Sequence, residues 1–396
     1  MRARGAVAFA VALVAMLAAG LWLGGHPRVL PDPVRDVFVA EPTGLVAEAS
    51  EAVEDYYFRP VGEEELGNAS LQGMVRELRR RHDDRFTEYF SPESIEGFNQ
   101  QIEGRFSGIG LSVVEVKRGL GVAQVFPRSP ADEAGIKAGD TVVSVEGESI
   151  AGQSSSEATK RIKGPEGTEV TIGVRDGKTK KVRELTLTRA EVTLPNVSSR
   201  VEKVDGRTLG YVRLLSFSEG AHALLGRAVE KVEKKGAEGI VLDLRHNPGG
   251  LLGEAVRSAS LFLPEGEVVV TTRSRSQGES VHETGDGRIS SLPIVVLIGR
   301  GTASAAEILT AALADNGGAK VVGTRSFGKG VFQEEQPLAN GGALKLTVGE
   351  YFTPEGVNLA ESRGIHPDVK AKDDAATPAD EVEERGFEVL AGQVGP

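Results

Sequence analysis

The chain has 396 residues, with 46 Lys plus Arg against 57 Asp plus Glu and a formal net charge of −11. That length suits two or three domains and a sizeable core, while an acidic balance without a long basic tract argues against nucleic acid as a partner. There is no cysteine, so disulfides, thiolate nucleophiles, Cys-ligated zinc and iron–sulfur clusters are excluded, and the composition is compatible with an oxidising compartment.

Residues Gly5 to Gly25 form an uncharged apolar run preceded by Arg2 and Arg4. At about 1.5 Å per residue it is just long enough to cross a hydrocarbon core of ~30 Å, with the arginines inside and everything after His26 outside the cytoplasm. Ala18-Ala19-Gly20 supplies the small residues of a cleaved signal peptide, the competing reading for residues 1–25. The length of the run favours an uncleaved anchor, and both readings export the chain. Residues 26–45 follow as an extended linker, because the prolines of HPRVLPDPV disfavour helix ahead of them. Residues 46–104 are predicted to be a helical, amphipathic segment, through LQGMVRELRRRHDD to the aromatic cluster Phe86, Tyr89 and Phe90.

Residues 105–190 turn to short alternating strands punctuated by glycine, the pattern of a small β-rich module. Gly108-Ile109-Gly110-Leu111 offers consecutive backbone N–H groups on a turn able to cradle a carboxylate. The strand Leu111 to Val116 leaves an edge to which an extended peptide can add, and Ala158 and Ile162 on the next helix would wall a pocket for an apolar terminal side chain. The segment resembles a PDZ domain over nearly its full length. The resemblance makes Lys163 a candidate for sensing a bound chain end; a packing module that binds nothing is the plain alternative.

Residues 191–372 alternate apolar strands with helices, as an α/β layered core requires. In GIVLDLRHNPGGLLGEA a strand from Ile240 to Leu244 runs into glycines that bring bare amides to its carboxyl end. Asp243 and Arg245 are expected to form a structural ion pair. In PIVVLIGRGTASAAEILTAALAD a buried strand, Ile294 to Ile298, leads to a helix starting near Ser304. Ser304 then lies at a strand-to-helix turn and Ala305 presents its amide at a helix N-terminus, the arrangement acyl transfer requires. Taken alone, the segment is more simply read as a helix cap. A dinucleotide loop is rejected, since Ser304 occupies the place of the third glycine. In TRSFGKGVFQEEQPL, Lys329 lies among Phe327, Val331 and Phe332, where burial lowers an amine's pKa and favours the neutral base. Gln333 can orient that amine without adding charge. Gly250, or Gly249, is placed to supply an oxyanion donor opposite Ala305. The six histidines are scattered, and His246, in the glycine loop, is more simply a turn residue than a base. Residues 373–396 are acidic and poorly apolar, predicting a tail or a solvated helix.

Together GTASAAE, FGKGVFQ and VLDLRHNPGG, behind a PDZ-like module, resemble the carboxyl-terminal processing peptidases (tail-specific proteases, the S41 serine peptidases). The likeness runs from about Leu71 to about Leu390 and takes in HDDRFTEYFSPE, GYVRLLSF and GIHPDV. It implies a multidomain α+β / α/β protein: an N-terminal membrane helix, a helical segment, a PDZ-like β module and a crotonase/ClpP-like α/β protease core. It also implies that Ser304 is the nucleophile, Lys329 its general base and Gln333 the residue that orients the lysine. The expected activity is an exported, extracytoplasmic serine endopeptidase that reads the C-terminal segments of polypeptides and cleaves near them, with no metal or cofactor. Homo-oligomerisation is compatible with the sequence. Ala306 is a departure, since members often carry a small hydroxyl residue there. Two rivals are a catalytically silent PDZ scaffold of the cell envelope and a crotonase-type enzyme acting on acyl-CoA.

Overall fold

The computed structural model describes residues 44–374 and 376–394, so the apolar run Gly5 to Gly25 and its predicted anchor role lie outside the described residues. Among those described, no helix is long and apolar enough to cross a membrane. The chain divides between Tyr89 and Phe90 into two units. The first holds helices α1 (Leu45–Tyr56) and α2 (Glu63–His82), and strand β1 (Glu88–Phe90) begins at its end. Three glutamates open α2 and Arg79 to His82 close it, matching the helix dipole at both ends. Tyr89 donates to the Asn68 side chain at 2.5 Å, which fastens the end of this unit to α2.

The second unit opens with α3 (Pro92–Glu103), started by the Ser91 side chain, which accepts from the Ser94 amide, and by proline in the first turn. Strands β2 (Arg105–Gly108), β3 (Leu111–Val116) and β4 (Gly119–Val125), helix α4 (Pro130–Glu133), strands β5 (Thr141–Val145) and β6 (Glu148–Ser149), helix α5 (Ser155–Ile162), and strands β7 (Glu169–Arg175) and β8 (Val182–Thr188) build the small β module. Its sheet runs β3-β4-β5-β7-β8, with β3 at an edge. A capping box of Ser154 and Glu157 starts α5. Strand β9 (Ala190–Thr193) returns to pair antiparallel with β2, so the chain enters and leaves the module side by side.

The remaining elements form the layered core: β10 (Val197–Val204), β11 (Arg207–Leu214), α6 (Ala221–Glu233), β12 (Ile240–Asp243), α7 (Leu252–Ser260), β13 (Val268–Ser274), β14 (Gly278–Glu283), β15 (Ile294–Ile298), α8 (Ala305–Asp315), β16 (Lys320–Gly323), β17 (Val331–Pro337), β18 (Ala343–Phe352), β19 (Val369–Lys370) and α9 (Glu381–Gln393). The main sheet has the order β10-β11-β12-β15-β16-β19. From β11 to β19 every pairing is parallel, and β12 and β15 are buried along their whole length, as unbroken apolar runs covered on both faces should be. Helices α6, α7 and α8 cover one face. An antiparallel sheet of β17, β18, β13 and β14 stands beside them.

The other face corrects the reading of residues 373–396 as a tail or a solvated helix. Helix α9 buries Val382, Phe387 and Leu390 against Leu209, Tyr211, Val241, Val295, Leu297 and Val322 of the sheet. Gly386 lets it approach, since a Cβ there would lie 2.6 Å from a Leu297 methyl. Spacings of four, five and eight residues from Val382 to Gly386, Phe387 and Leu390 gather one apolar stripe, while the glutamates that dominate the composition lie mostly outside it. The expected Asp243–Arg245 pair is present, and it extends to this helix: the Arg245 guanidinium donates to Asp243 at 2.8 and 3.0 Å and to Asp380 at 2.6 and 2.8 Å.

Helix α6 is anchored by a buried acid. The Glu254 carboxylate accepts from the amides of Gly220 and His222 and from Arg257, and sits 2.8 Å from the His222 Nδ1. Burial pushes this carboxyl up, but the donors outweigh it and hold it at about 2, against 4.5 in solution. A lowered folded value stabilises above the solution value and is lost as pH falls through the folded one. Glu254→Gln is therefore expected to cost about 1–3 kcal/mol at neutral pH, with the gap to wild type closing as pH falls from 4.5 towards 2. Thermal unfolding at several pH values checks this, and a gap constant with pH would refute it.

Candidate active site

Strands β12, β15 and β16 are neighbours in register, Asp243 opposite Leu297 and Ile298 opposite Gly323. The three segments singled out from the sequence each leave the carboxyl end of one of them: the Asn247–Gly250 loop after β12, the turn to Ser304 after β15, and the loop to Lys329 after β16. Three stretches separated by tens of residues thus meet at one sheet edge, where sites of parallel α/β proteins form.

Ser304 takes up the N-cap of α8 at φ 55°, ψ −122°, a conformation few residues with a side chain adopt. Such a backbone costs ~1–3 kcal/mol and persists only where neighbours hold it. Here the Ser304 amide donates to Glu307 Oε2 at 2.9 Å, and the preceding Ala303 amide donates to the Asn247 carbonyl at 3.0 Å. The sharp turn presents Ser304 to a cavity of about 420 Å³ that Ala305, Gly249, Gly250, Lys329 and Gln333 also line.

Sequence reasoning passed over Glu307. This carboxylate is fully buried and accepts from four donors: the amides of Ser304, Gly328 and Lys329 at 2.9, 2.8 and 3.0 Å and the Ser326 hydroxyl at 2.5 Å. It is therefore the clasp between the serine turn and the lysine loop. Burial raises its carboxyl above the ordinary range, and the four donors oppose that rise. The signal was present as the serine-to-glutamate spacing of a capping box; its second set of partners comes from a segment about twenty residues on and had no local trace.

The Lys329 amine donates to Gln333 Oε1 at 2.6 Å, and the Gln333 amide nitrogen donates to Thr347 at 3.2 Å, which fixes the side chain with its oxygen towards the lysine. The register of β17 on β18 shifts between Phe332 and Gln333, a bulge of the kind that re-aims a side chain. On the facing loop, the Gly249 amide is taken by the Asn247 side chain at 2.9 Å. Gly250 and Ala305 have no amide acceptor among the described residues, so of the two glycines it is Gly250 that offers a donor with Ala305. Glycine is required here: at Gly249, with φ +100°, a Cβ would meet the Ser304 Cβ at 2.8 Å, and at Gly250, with φ +143°, it would meet the Phe217 carbonyl at 2.4 Å. Phe217, Leu251, Leu252, Ile308 and Phe332 make the cavity largely apolar, and Phe98 and Ile102 of α3 border it. His246 is exposed and does not line it.

The residues expected to hold a peptide end lie in the β module, and none lines the Ser304 cavity. Gly108 ends β2, and Ile109 is buried. Gly110 turns at φ +84° against Ser129, and Leu111 opens the edge strand β3. Ala158 and Ile162 are buried with the module's core. Lys163 is engaged by α3, donating to Gln100 at 3.0 Å and lying 5.5 Å from the Phe106 ring centroid.

Residues 208–371 match peptidase family S41 and residues 121–176 match a PDZ domain. A probable CtpA-like serine protease of Staphylococcus saprophyticus is 32% identical over 332 residues, covering 83% of this chain and 65% of the relative. One from Staphylococcus aureus is 35% identical over 315 residues, 79% of this chain and 61% of the relative. The chain thus spans somewhat under two thirds of the length of these curated relatives. Among solved structures, a photosystem II D1 C-terminal processing protease is similar with a TM-score of 0.50 and 28% identity, over 89% of this chain and 97% of that one. The chain is a homologue of CtpA-like serine proteases that carries a peptidase family S41 domain behind a PDZ domain.

Proposed function

We propose that this protein is a serine endopeptidase that docks the C-terminal end of a polypeptide on its PDZ domain and cleaves the chain nearby with a Ser304–Lys329 dyad. The observation that carries this reading is the convergence of Ser304, Lys329, Gln333 and the amides of Ala305 and Gly250 on one largely apolar cavity. Neutral Lys329 takes the Ser304 proton as the hydroxyl oxygen attacks the scissile carbonyl carbon, and the amides of Ala305 and Gly250 hold the resulting oxyanion. As the tetrahedral species collapses, the Lys329 ammonium protonates the departing amine. Water, deprotonated by the same lysine, then hydrolyses the acyl-serine. Gln333 holds the amine with a neutral carboxamide, so it orients without stabilising the ammonium as a carboxylate would. The edge strand β3 supports docking of an extended peptide end by strand addition, which raises the local concentration of substrate at the cavity. The run Gly5 to Gly25 would anchor the chain with its catalytic part on the extracytoplasmic side.

The test is cleavage by the purified chain of a peptide ending in a free apolar carboxyl terminus, beside the same peptide amidated at its end. Wild type should cleave the free-ended peptide faster, and Ser304→Ala should fold and cleave neither. Turnover by Ser304→Ala would overturn the assignment; binding without cleavage by wild type would favour a silent scaffold.

A further inference from the structure

The strongest unassigned feature of the cavity is a phenol. Tyr351 lies on β18, is only 2% exposed, and lines the same cavity as Ser304 and Lys329. Among the described residues, four buried side-chain polar atoms make no hydrogen bond, namely Gln153 Oε1, Arg213 Nε, Ser258 Oγ and the Tyr351 hydroxyl. Only the last belongs to a residue of this cavity. A buried O–H left unpaired is destabilising, so its presence in a working site calls for an acceptor that appears when the site works.

The surroundings identify that acceptor. The Ser304 side chain is near enough to act on the phenol, yet no bond of normal hydrogen-bond geometry forms between them. The backbone pins the tyrosine beside the lysine loop: the Tyr351 amide donates to the Gly330 carbonyl at 3.1 Å, and Asn358 donates to the carbonyls of both Gly330 and Tyr351. Across the sheet Tyr351 is paired with Thr272, which also borders the cavity. Burial, and secondarily the Glu307 carboxylate, push the phenol well above its ordinary value of 10.0, so it keeps its proton throughout the working pH range. It therefore has a proton to donate.

We propose that Tyr351 is a further catalytic residue, whose hydroxyl donates a hydrogen bond to Ser304 Oγ as that oxygen gives up its proton. A serine hydroxyl has one proton and two acceptor lone pairs. With the proton passing to Lys329 Nζ and one lone pair attacking carbon, the other is left for Tyr351. No proton leaves the phenol, so the step is a transfer from serine to lysine with Tyr351 lowering the charge that builds on oxygen. The bond strengthens as Ser304 approaches the alkoxide, which makes it a contribution to kcat rather than to substrate binding.

This rests on the dyad proposed above. The experiment compares wild type, Tyr351→Phe and Ser304→Ala of the whole chain in three measurements: peptide cleavage, the rate of labelling by a fluorophosphonate probe that reacts with an activated serine, and thermal unfolding. Tyr351→Phe should lower kcat by about 10- to 100-fold with KM little changed, and should slow labelling by a similar factor. Its melting temperature should equal or exceed that of wild type, because the substitution removes an unsatisfied buried polar atom. Its pH–rate profile should keep the wild-type acid limb at a lower plateau, since that limb belongs to the lysine. Wild-type kcat and labelling in Tyr351→Phe, with Ser304→Ala inactive, would overturn this proposal alone. So would a large fall in melting temperature that accounts for the lost activity. Turnover by Ser304→Ala, or absence of labelling at Ser304 in wild type, would remove the dyad and this proposal with it.

Discussion

Lys329→Met is expected to lower kcat by about 10,000-fold or more while leaving KM within a few-fold of wild type. Methionine matches the length and apolar body of the lysine stem, so the half-buried site stays filled and only the basic nitrogen is lost. A serine hydroxyl is a weak nucleophile without a base to receive its proton, and His246, the only histidine near these segments in sequence, is exposed and outside the cavity. His246 is therefore not placed to take over. The partner substitution Gln333→Glu tests the charge argument from the other direction. It would place a carboxylate where the amide oxygen now accepts from the lysine at 2.6 Å. An anion there stabilises the ammonium and raises its pKa, so the acid limb of kcat/KM should move to higher pH and activity at neutral pH should fall. Steady-state kinetics across pH measure both. Undiminished turnover in Lys329→Met, or an acid limb unmoved in Gln333→Glu, would contradict the roles proposed for these residues.

The second large effect is expected at Glu307, which sequence reasoning missed. Glu307→Gln should reduce kcat/KM by about 100-fold or more and lower the melting temperature as well. Its carboxylate now accepts from four donors, and three of them, the backbone amides of Ser304, Gly328 and Lys329, can only donate, so an amide in its place turns N–H bonds towards N–H groups. Buried donors left facing donors cost ~1–3 kcal/mol each. With the new nitrogen in the place of Oε2, the losses fall on the serine turn and the lysine loop together, because Oε2 serves the amides of Ser304 and Lys329. The strained Ser304 turn would then relax, and displacement of reacting groups by as little as an ångström is enough for losses of this size. Glu307→Asp, which keeps the charge but shortens the reach, should recover part of the stability and less of the activity. Full activity in Glu307→Gln would show that the clasp is not needed.

Two features of the core show why reading residues in order succeeded in some places and failed in others. The runs IVLD and IVVLI declare buried parallel strands, because only a sheet covered on both faces leaves them no polar alternation. The glycines before Leu251 likewise declare a close approach. The acidic composition of the C-terminal segment hid the stripe of Val382, Phe387 and Leu390, since charge dominates an average while burial depends on which face each residue takes. Tyr351 left no mark at all: an aromatic in a strand is ordinary, and only the absent partner of its hydroxyl makes it unusual.

Residue order alone specifies the parts: which segments are strands, where serine, lysine and glutamine fall relative to strand ends, and that a glycine-rich module precedes a layered core. Local periodicity and turn chemistry act over a few residues, so they are written in the order of the chain. What meets what is set by the packing of the folded chain. The adjacency of β12, β15 and β16 brings the three loops together, Glu307 locks two of them, and α9 closes the far face of the sheet. Those facts depend on strand order and on partners far apart along the chain, which no local preference encodes.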